Sequence, residues 1–300
     1  MTSRRDFMRL AGGAAIVASL PVSAQQPPLL PQREIPGTNE ALSIIGLGNS
    51  QAFRNGNAKV AGELLQLYVE RGGRYVDVGG SSAGFVGQLG REMGATEQLF
   101  FANYIDPAEA SAMRNEVTDL AAAQGKSALD LVHTRDLEGF RLRHDAYREM
   151  QEDGLVRFIG IARTGKPNYG SIEQLIRDGL VDFIQVNYSM LEPEAAESLL
   201  PLAMEEGIAV AISRPFMNGN YFSVVEGHEL PGWAAEFDCE SWAQFSLKYI
   251  LAHPAVTCVL TETANPEHAI DNFGAGFGRL PDAQTRQRMQ DHLRALSASR

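Results

Sequence analysis

The chain has 300 residues, 44% of them hydrophobic and 21% charged, with a formal net charge of −11. That composition builds at least one sizeable core and excludes collagen-like, low-complexity and disordered classes. The acidic balance argues against a nucleic-acid binder or a chain drawn to anionic membranes, and two cysteines, Cys239 and Cys258, are too few for a disulfide scaffold or a multi-thiolate metal site.

Residues 1–24 read as a signal peptide. SRRDFM (Ser3 to Met8) precedes a weakly apolar stretch from Leu10 to Val22, and Val22-Ser23-Ala24 offers small residues before a cut. The apolar run is too short for the ~20 helical residues that span a bilayer. The pair Arg4-Arg5, with Phe7 two positions on, resembles a twin-arginine signal. The expected partner is then the twin-arginine export machinery and the expected location the periplasm, reached already folded. Without this leader the net charge is about −13, because Arg4, Arg5 and Arg9 leave against Asp6. Residues 25–36, rich in Pro and Gln, read as a flexible segment.

From residue 37 to 300, apolar β-rich runs alternate with amphipathic stretches. The runs are Leu42–Gly48, Tyr75–Val78, Leu99–Tyr104, Leu129–His133, Phe158–Ala162, Val181–Val186, Ile208–Ser213 and Val256–Leu260. Val60–Arg71 and Ala195–Glu206 carry helical periodicity. Strands so uniformly apolar are buried on both faces, as in a parallel sheet. Eight such alternations predict a single-domain α/β fold, the (β/α)8 or TIM barrel. An open doubly wound sheet is the rival, but no Gly-x-Gly-x-x-Gly turn follows an early strand.

In such a barrel the chemistry sits at the carboxyl ends of the strands. Those ends read Gly48-Asn49, Asp77, Tyr104, His133 to Arg135, Arg163, Gln185 to Tyr188, Ser213-Arg214 and Thr261-Glu262. Arg135, Arg163 and Arg214 come from three strands and suit recognition of a carboxylate or phosphate; the alternative is that each pairs with a rim carboxylate such as Asp136 or Glu262. His133 is a candidate acid or base, or a hydrogen-bonded structural histidine. Tyr104 is a candidate acid whose pKa the nearby arginines would lower. Trp233, Phe237 and Trp242 fall on a predicted helix before the eighth strand. His228, His253 and His292 show no metal-ligand spacing, so no metal is expected.

Six ordered segments carry a resemblance: REIPGTNEALSIIGLG from Arg33, GGRYVDV around Asp77, GLVRFIGIA around Gly160, VDFIQVNYS around Gln185, GIAVAISRPF around Arg214 and ANPEHAIDN ending at Asn272. The chain resembles the aldo/keto reductase superfamily from about Arg33 to Asp282. That resemblance implies NADPH-dependent reduction of carbonyls by an Asp, Tyr, Lys and His tetrad. The aspartate matches Asp77. The tyrosine position holds Ser82, and the lysine position, in LFFANY, holds Tyr104. The histidine position falls on Arg135 without a gap, or on His133 with one of two residues. For the cofactor the resemblance implies Gln185 against the nicotinamide amide, Ser213 and Arg214 beside its ring, Thr263 after the last strand and Asn272 at the adenine. The Ser-Asn pair usual after the fifth strand is Ala162-Arg163, and Glu262 puts a carboxylate near the phosphates.

Three readings stay open. The first is an exported oxidoreductase carrying NADP(H) and acting on a small molecule. The second is a non-catalytic barrel, a pseudoenzyme, that binds a small anion. The third is altered chemistry through Tyr104 and His133.

Overall fold

A computed structural model of the chain describes residues 27–298. The signal peptide expected over 1–24 lies outside the described residues.

β1 (Gln32–Glu34) and β2 (Ala41–Ser43) form an antiparallel hairpin in which Arg33 lies opposite Leu42. The eight barrel strands are β3 (Ile45–Leu47), β4 (Tyr75–Asp77), β5 (Phe100–Tyr104), β6 (Leu129–Thr134), β7 (Val156–Ala162), β8 (Phe183–Asn187), β9 (Ala209–Ser213) and β10 (Cys258–Thr261). They pair in parallel in chain order, and β10 returns to β3 to close the ring. The expected single-domain (β/α)8 barrel is the observed fold. Between strands the chain turns into helices, several fixed by local caps. The Asn57 side chain accepts from Val60 N, Asp136 from Gly139 N and Ser241 from Gln244 N.

Three expectations are corrected. The run Leu42–Gly48 is two strands, because Ser43 ends the hairpin before Ile45 enters the barrel. The flexible segment expected over 25–36 is ordered from Leu30 onward: Leu30 and Ile35 are buried, and the Arg33 guanidinium donates to the carbonyls of Leu251 at 2.5 Å, of His253 at 3.4 Å and of Val256. Charged donors bonded to the loop before β10 outweigh the local Pro-rich propensity. Trp233 and Phe237 also lie on a 3-10 turn (Gly232–Phe237), and Trp242 opens a separate helix ending at Leu251.

Side chains two apart on a strand share a face. Tyr75, Phe100, Leu131, Phe183, Ala209, Ala211, Cys258 and Leu260 pack inside the barrel, closed from below by Ile35 and Leu42 of the hairpin. The rings of Tyr75, Phe100, Phe183 and Phe158 follow one another with centroids 5.3–5.8 Å apart. Two residues further along β4, β6, β8 and β9 the same inward face carries Asp77, His133, Gln185 and Ser213, so the apolar plug becomes the floor of a polar mouth. Among the described residues no helix is long and apolar enough to cross a membrane.

Gly160 on β7 packs so tightly that a Cβ would sit 2.3 Å from the carbonyl oxygen of Phe183 on β8. Backbone cannot yield as a side-chain tip can. The variant Gly160→Ala should therefore lose about 2–4 kcal/mol of stability, read as a lower urea midpoint at unchanged slope. An unchanged midpoint would contradict this register.

Candidate functional site

The floor of the mouth is a small polar cluster. From β8, Gln185 Nε2 lies 3.2 Å from Asp77 Oδ2 and 3.2 Å from the Tyr104 hydroxyl, while Gln185 Oε1 accepts from the Tyr75 hydroxyl at 3.4 Å. The other carboxylate oxygen, Asp77 Oδ1, is buried without a hydrogen-bond partner. It faces His133 Nε2, equally unpartnered, at 3.8 Å, too far for a hydrogen bond. The Tyr104 ring is held between two neighbours: the His133 ring at 4.0 Å between centroids and the Arg135 guanidinium 4.0 Å from its centre.

Burial governs the protonation of this cluster. It pushes the Asp77 carboxyl up to about 7, against the pull of the Gln185 hydrogen bond; Glu262 adds to the rise, and Arg135 and Tyr104 oppose it. Burial, and then Arg135, bring the His133 imidazole down to about 3, so it is neutral at physiological pH. The Tyr104 hydroxyl is raised rather than lowered. Its burial and the neighbouring Asp77 outweigh Arg135, and the expectation that arginines would make it a stronger acid is corrected.

Above the floor lies a cavity of about 580 Å3 lined by Asp77, Tyr104, Gln185, Ser213, Glu262 and the arginines at 54, 135, 163 and 214. Arg135, Arg163 and Arg214, from three strand ends, all line it. Among the described residues Arg135 and Arg163 form no ion pair with a carboxylate, and Arg163 meets only Asn168 Oδ1, at 3.5 Å. Arg214 stands 3.9 Å from Glu192, and its Nε is buried without a partner, as is Ser213 Oγ. The cavity continues on two sides. One arm, of about 530 Å3, runs past Arg54, Arg214, Phe216, Phe222, Glu262 and Thr263; the other, of about 660 Å3, runs past Asp106, Arg135, Asp136, Arg163 and Asn168. In the first arm the chain holds Arg214, Met217 and Asn218 at φ 55°, 51° and 57°, a conformation L-residues seldom adopt.

The remaining expected residues are placed less directly. Ser82 opens the helix Ser82–Glu92 and is buried; its hydroxyl accepts from Gly79 N at 3.1 Å and lies 2.9 Å from Asn49 Oδ1, so it fastens a loop and does not line the mouth. Thr263 lines the first arm, with its hydroxyl accepting from Asn265 N at 3.0 Å. Asn272 is buried on the helix Pro266–Gly274 and does not line that arm. Sequence reasoning missed Arg54, which ion-pairs with Glu262 at 3.6 Å, and the aromatic shelf of Phe216 and Phe222, whose rings lie 4.9 Å apart. Arg54 follows a strand end on the short helix Gln51–Arg54, and that position was its signal. Among the described residues no three His, Cys, Asp or Glu side chains are grouped to hold a metal ion.

The sequence model of the aldo/keto reductase family matches residues 45–291. A NADH-specific methylglyoxal reductase of Escherichia coli (strain K12) is 30% identical over 161 residues, 45% of this chain and 48% of that protein. The uncharacterized oxidoreductase YqkF of Bacillus subtilis (strain 168) is 24% identical over 170 residues, 50% of this chain and 54% of its own. The matched stretch thus spans about half the length of these curated relatives. Among solved structures, an aldo-keto reductase from Klebsiella pneumoniae in complex with NADPH superposes with a TM-score of 0.73 at 17% identity, covering 88% of this chain and 96% of that one. The holo form of an aldo-keto reductase from Bacillus halodurans gives 0.71 at 19%, covering 87% and 96%. With its family model matched over most of its length and the same barrel closed around a mouth at the strand ends, this chain belongs to the aldo/keto reductase family.

Proposed function

We propose that the barrel binds a small anionic molecule bearing a carbonyl in its arginine-lined mouth, with a nicotinamide dinucleotide in the arm beside Arg54 and Arg214, and that it works in the periplasm after folded export by the twin-arginine route. One observation carries the ligand reading: Arg135 and Arg163, from adjacent strand ends, face one cavity with no carboxylate partner among the described residues. An arginine at a mouth costs least when an anion of the ligand completes its hydrogen bonds. The twin-arginine pair at Arg4-Arg5 supports the export reading.

The residues present fit the dinucleotide. The unpartnered Ser213 hydroxyl offers a donor and an acceptor for a carboxamide, and Gln185 Oε1, which accepts from Tyr75, a second acceptor; Arg54 and Arg214 offer cations for a diphosphate; Phe216 and Phe222 offer flat faces, the latter 42% exposed. Glu262 opposes phosphate, and its ion pair with Arg54 moderates that opposition. When bound, a dihydronicotinamide supplies hydride. The chain's own part is to hold the ligand's anionic end on Arg135 and Arg163 and to set its other end above Asp77 and Gln185. The names of the Escherichia coli relative and of the NADPH-bound Klebsiella structure support this reading. A binding-only barrel is the second reading, favoured by Ser82, which is locked into the loop at Gly79.

Isothermal titration with pyruvate as probe should show saturable binding that falls at least about tenfold in the double variant Arg135→Ala/Arg163→Ala. Equal binding by both proteins would reject the arginine site. Removing the opposing carboxylate with Glu262→Gln should tighten NADPH binding about three- to tenfold, followed by tryptophan quenching. Weaker binding would mean that Glu262 holds the nucleotide. Pyruvate binding without any NADPH-dependent turnover of carbonyls would select the binding-only barrel.

A further inference from the structure

By the family resemblance the tyrosine and lysine positions of the mouth hold Ser82 and Tyr104, which are chemically different groups. Ser82 is turned into the Gly79 loop, and a serine hydroxyl is a far weaker acid than a phenol. Among the described residues no ammonium reaches the floor. Lys126 pairs with Asp130 at 2.5 Å, Lys166 with Glu197 at 3.2 Å, Lys248 donates to the carbonyls of Phe277 and Arg279, and Lys59 is exposed on the helix Ala58–Val69. Among the described residues the Asp77 carboxyl therefore has no cation in hydrogen-bond contact with it.

We propose that the Asp77 carboxyl is the proton donor of this mouth, filling the acid's place that Ser82 leaves empty. The proposal rests on the reading of the mouth as a carbonyl site. The geometry sets Asp77 apart from its neighbours. It lines the cavity, its side chain is only 6% exposed, one oxygen lies against the Gln185 amide, and the other has no partner. The groups whose charge or hydrogen bonds act on it are Tyr75 on its own strand, Tyr104 from β5, His133 and Arg135 from the end of β6, Gln185 from β8 and Glu262 after β10. Of these only Arg135 is cationic, and its guanidinium is spread over the Tyr104 ring. Burial in that company keeps the proton on Asp77 until about pH 7, whereas Tyr104 is made a poorer acid by the same burial and His133 stays neutral.

The step balances with a dihydronicotinamide dinucleotide as reductant. The carbonyl oxygen takes the Asp77 proton while the carbonyl carbon gains hydride. The C=O π bond is replaced by new C–H and O–H bonds, the ligand is reduced to an alcohol and the dinucleotide is oxidised. Asp77 is left as a carboxylate and regains a proton from water through the mouth. Because the acid form is the active one and the folded pKa is raised, the rate falls as pH rises through about 7.

Infrared spectra of the full chain, titrated from pH 5 to 9 without ligand, test the assignment directly. A protonated-carboxyl band should fade with a midpoint near 7 and be missing from Asp77→Asn. The variant Gln185→Leu removes a hydrogen bond that favours the charged form, so its midpoint should move up; this arm serves if Asp77→Asn fails to fold by circular dichroism. A band that survives in Asp77→Asn, a carboxyl that titrates below pH 5, or a midpoint unmoved in Gln185→Leu would each overturn the proposal. With NADPH and pyruvate, Asp77→Asn should turn over at least about 100-fold more slowly than the unaltered protein. Undiminished turnover would overturn the donor role even with a normal titration. The mouth reading fails separately, by absence of pyruvate binding to the unaltered protein.

Discussion

The site depends on one constraint: a carboxyl held over an apolar-packed barrel interior with, among the described residues, no ammonium beside it. The apolar packing lies below it. Phe100, Phe158 and Phe183, with the Tyr75 ring, fill the interior, and the hairpin closes it through Ile35, Leu42 and the Arg33 guanidinium. The Tyr75 hydroxyl then reaches Gln185, so the top of the plug and the bottom of the site share a hydrogen bond. The same inward face of β4 carries Tyr75 into the plug and Asp77 into the mouth. A charged Asp77 therefore sits over aromatic rings, and its neutral form is the easier one to bury.

The rim compensates in sign but at a distance. Arginines enter from the ends of four strands, yet the one nearest the floor, Arg135, lies against the Tyr104 ring. Arg54 and Arg214 are committed in part to Glu262 and Glu192. The result is a mouth rich in guanidinium groups over a floor that they leave un-ionised, which is the basis of the proposed anion site. The left-handed backbone at Arg214, Met217 and Asn218 bounds the same arm, and strain of this kind is held where surrounding packing over-determines it.

Much of this was legible in the residues. Eight apolar runs gave the barrel because a parallel sheet buried on both faces leaves that mark, and the strand ends named Asp77, Tyr104, His133, Arg135, Arg163, Gln185, Ser213 and Arg214, all placed at the mouth or its floor. What was not legible depended on burial and on loops. The direction of the Tyr104 shift follows from how deep the ring sits, which spacing does not show. The order of residues 30–36 comes from Arg33 meeting carbonyls more than two hundred positions away. Arg54 and the Phe216–Phe222 shelf sit on short helices and turns whose course no periodicity marks, and Asn272 faces the core because its helix packs with that side inward.

The central claim is that the arginine mouth seats the anionic end of a small carbonyl compound over Asp77, beside the nucleotide. A crystal structure of the protein with NADP+ and pyruvate tests it most directly. The account predicts the pyruvate carboxylate on Arg135 and Arg163, its carbonyl oxygen within hydrogen-bond reach of Asp77, and the nucleotide diphosphate between Arg54 and Arg214. A nucleotide bound elsewhere, or pyruvate seated away from Arg135 and Arg163 with water over Asp77, would contradict it.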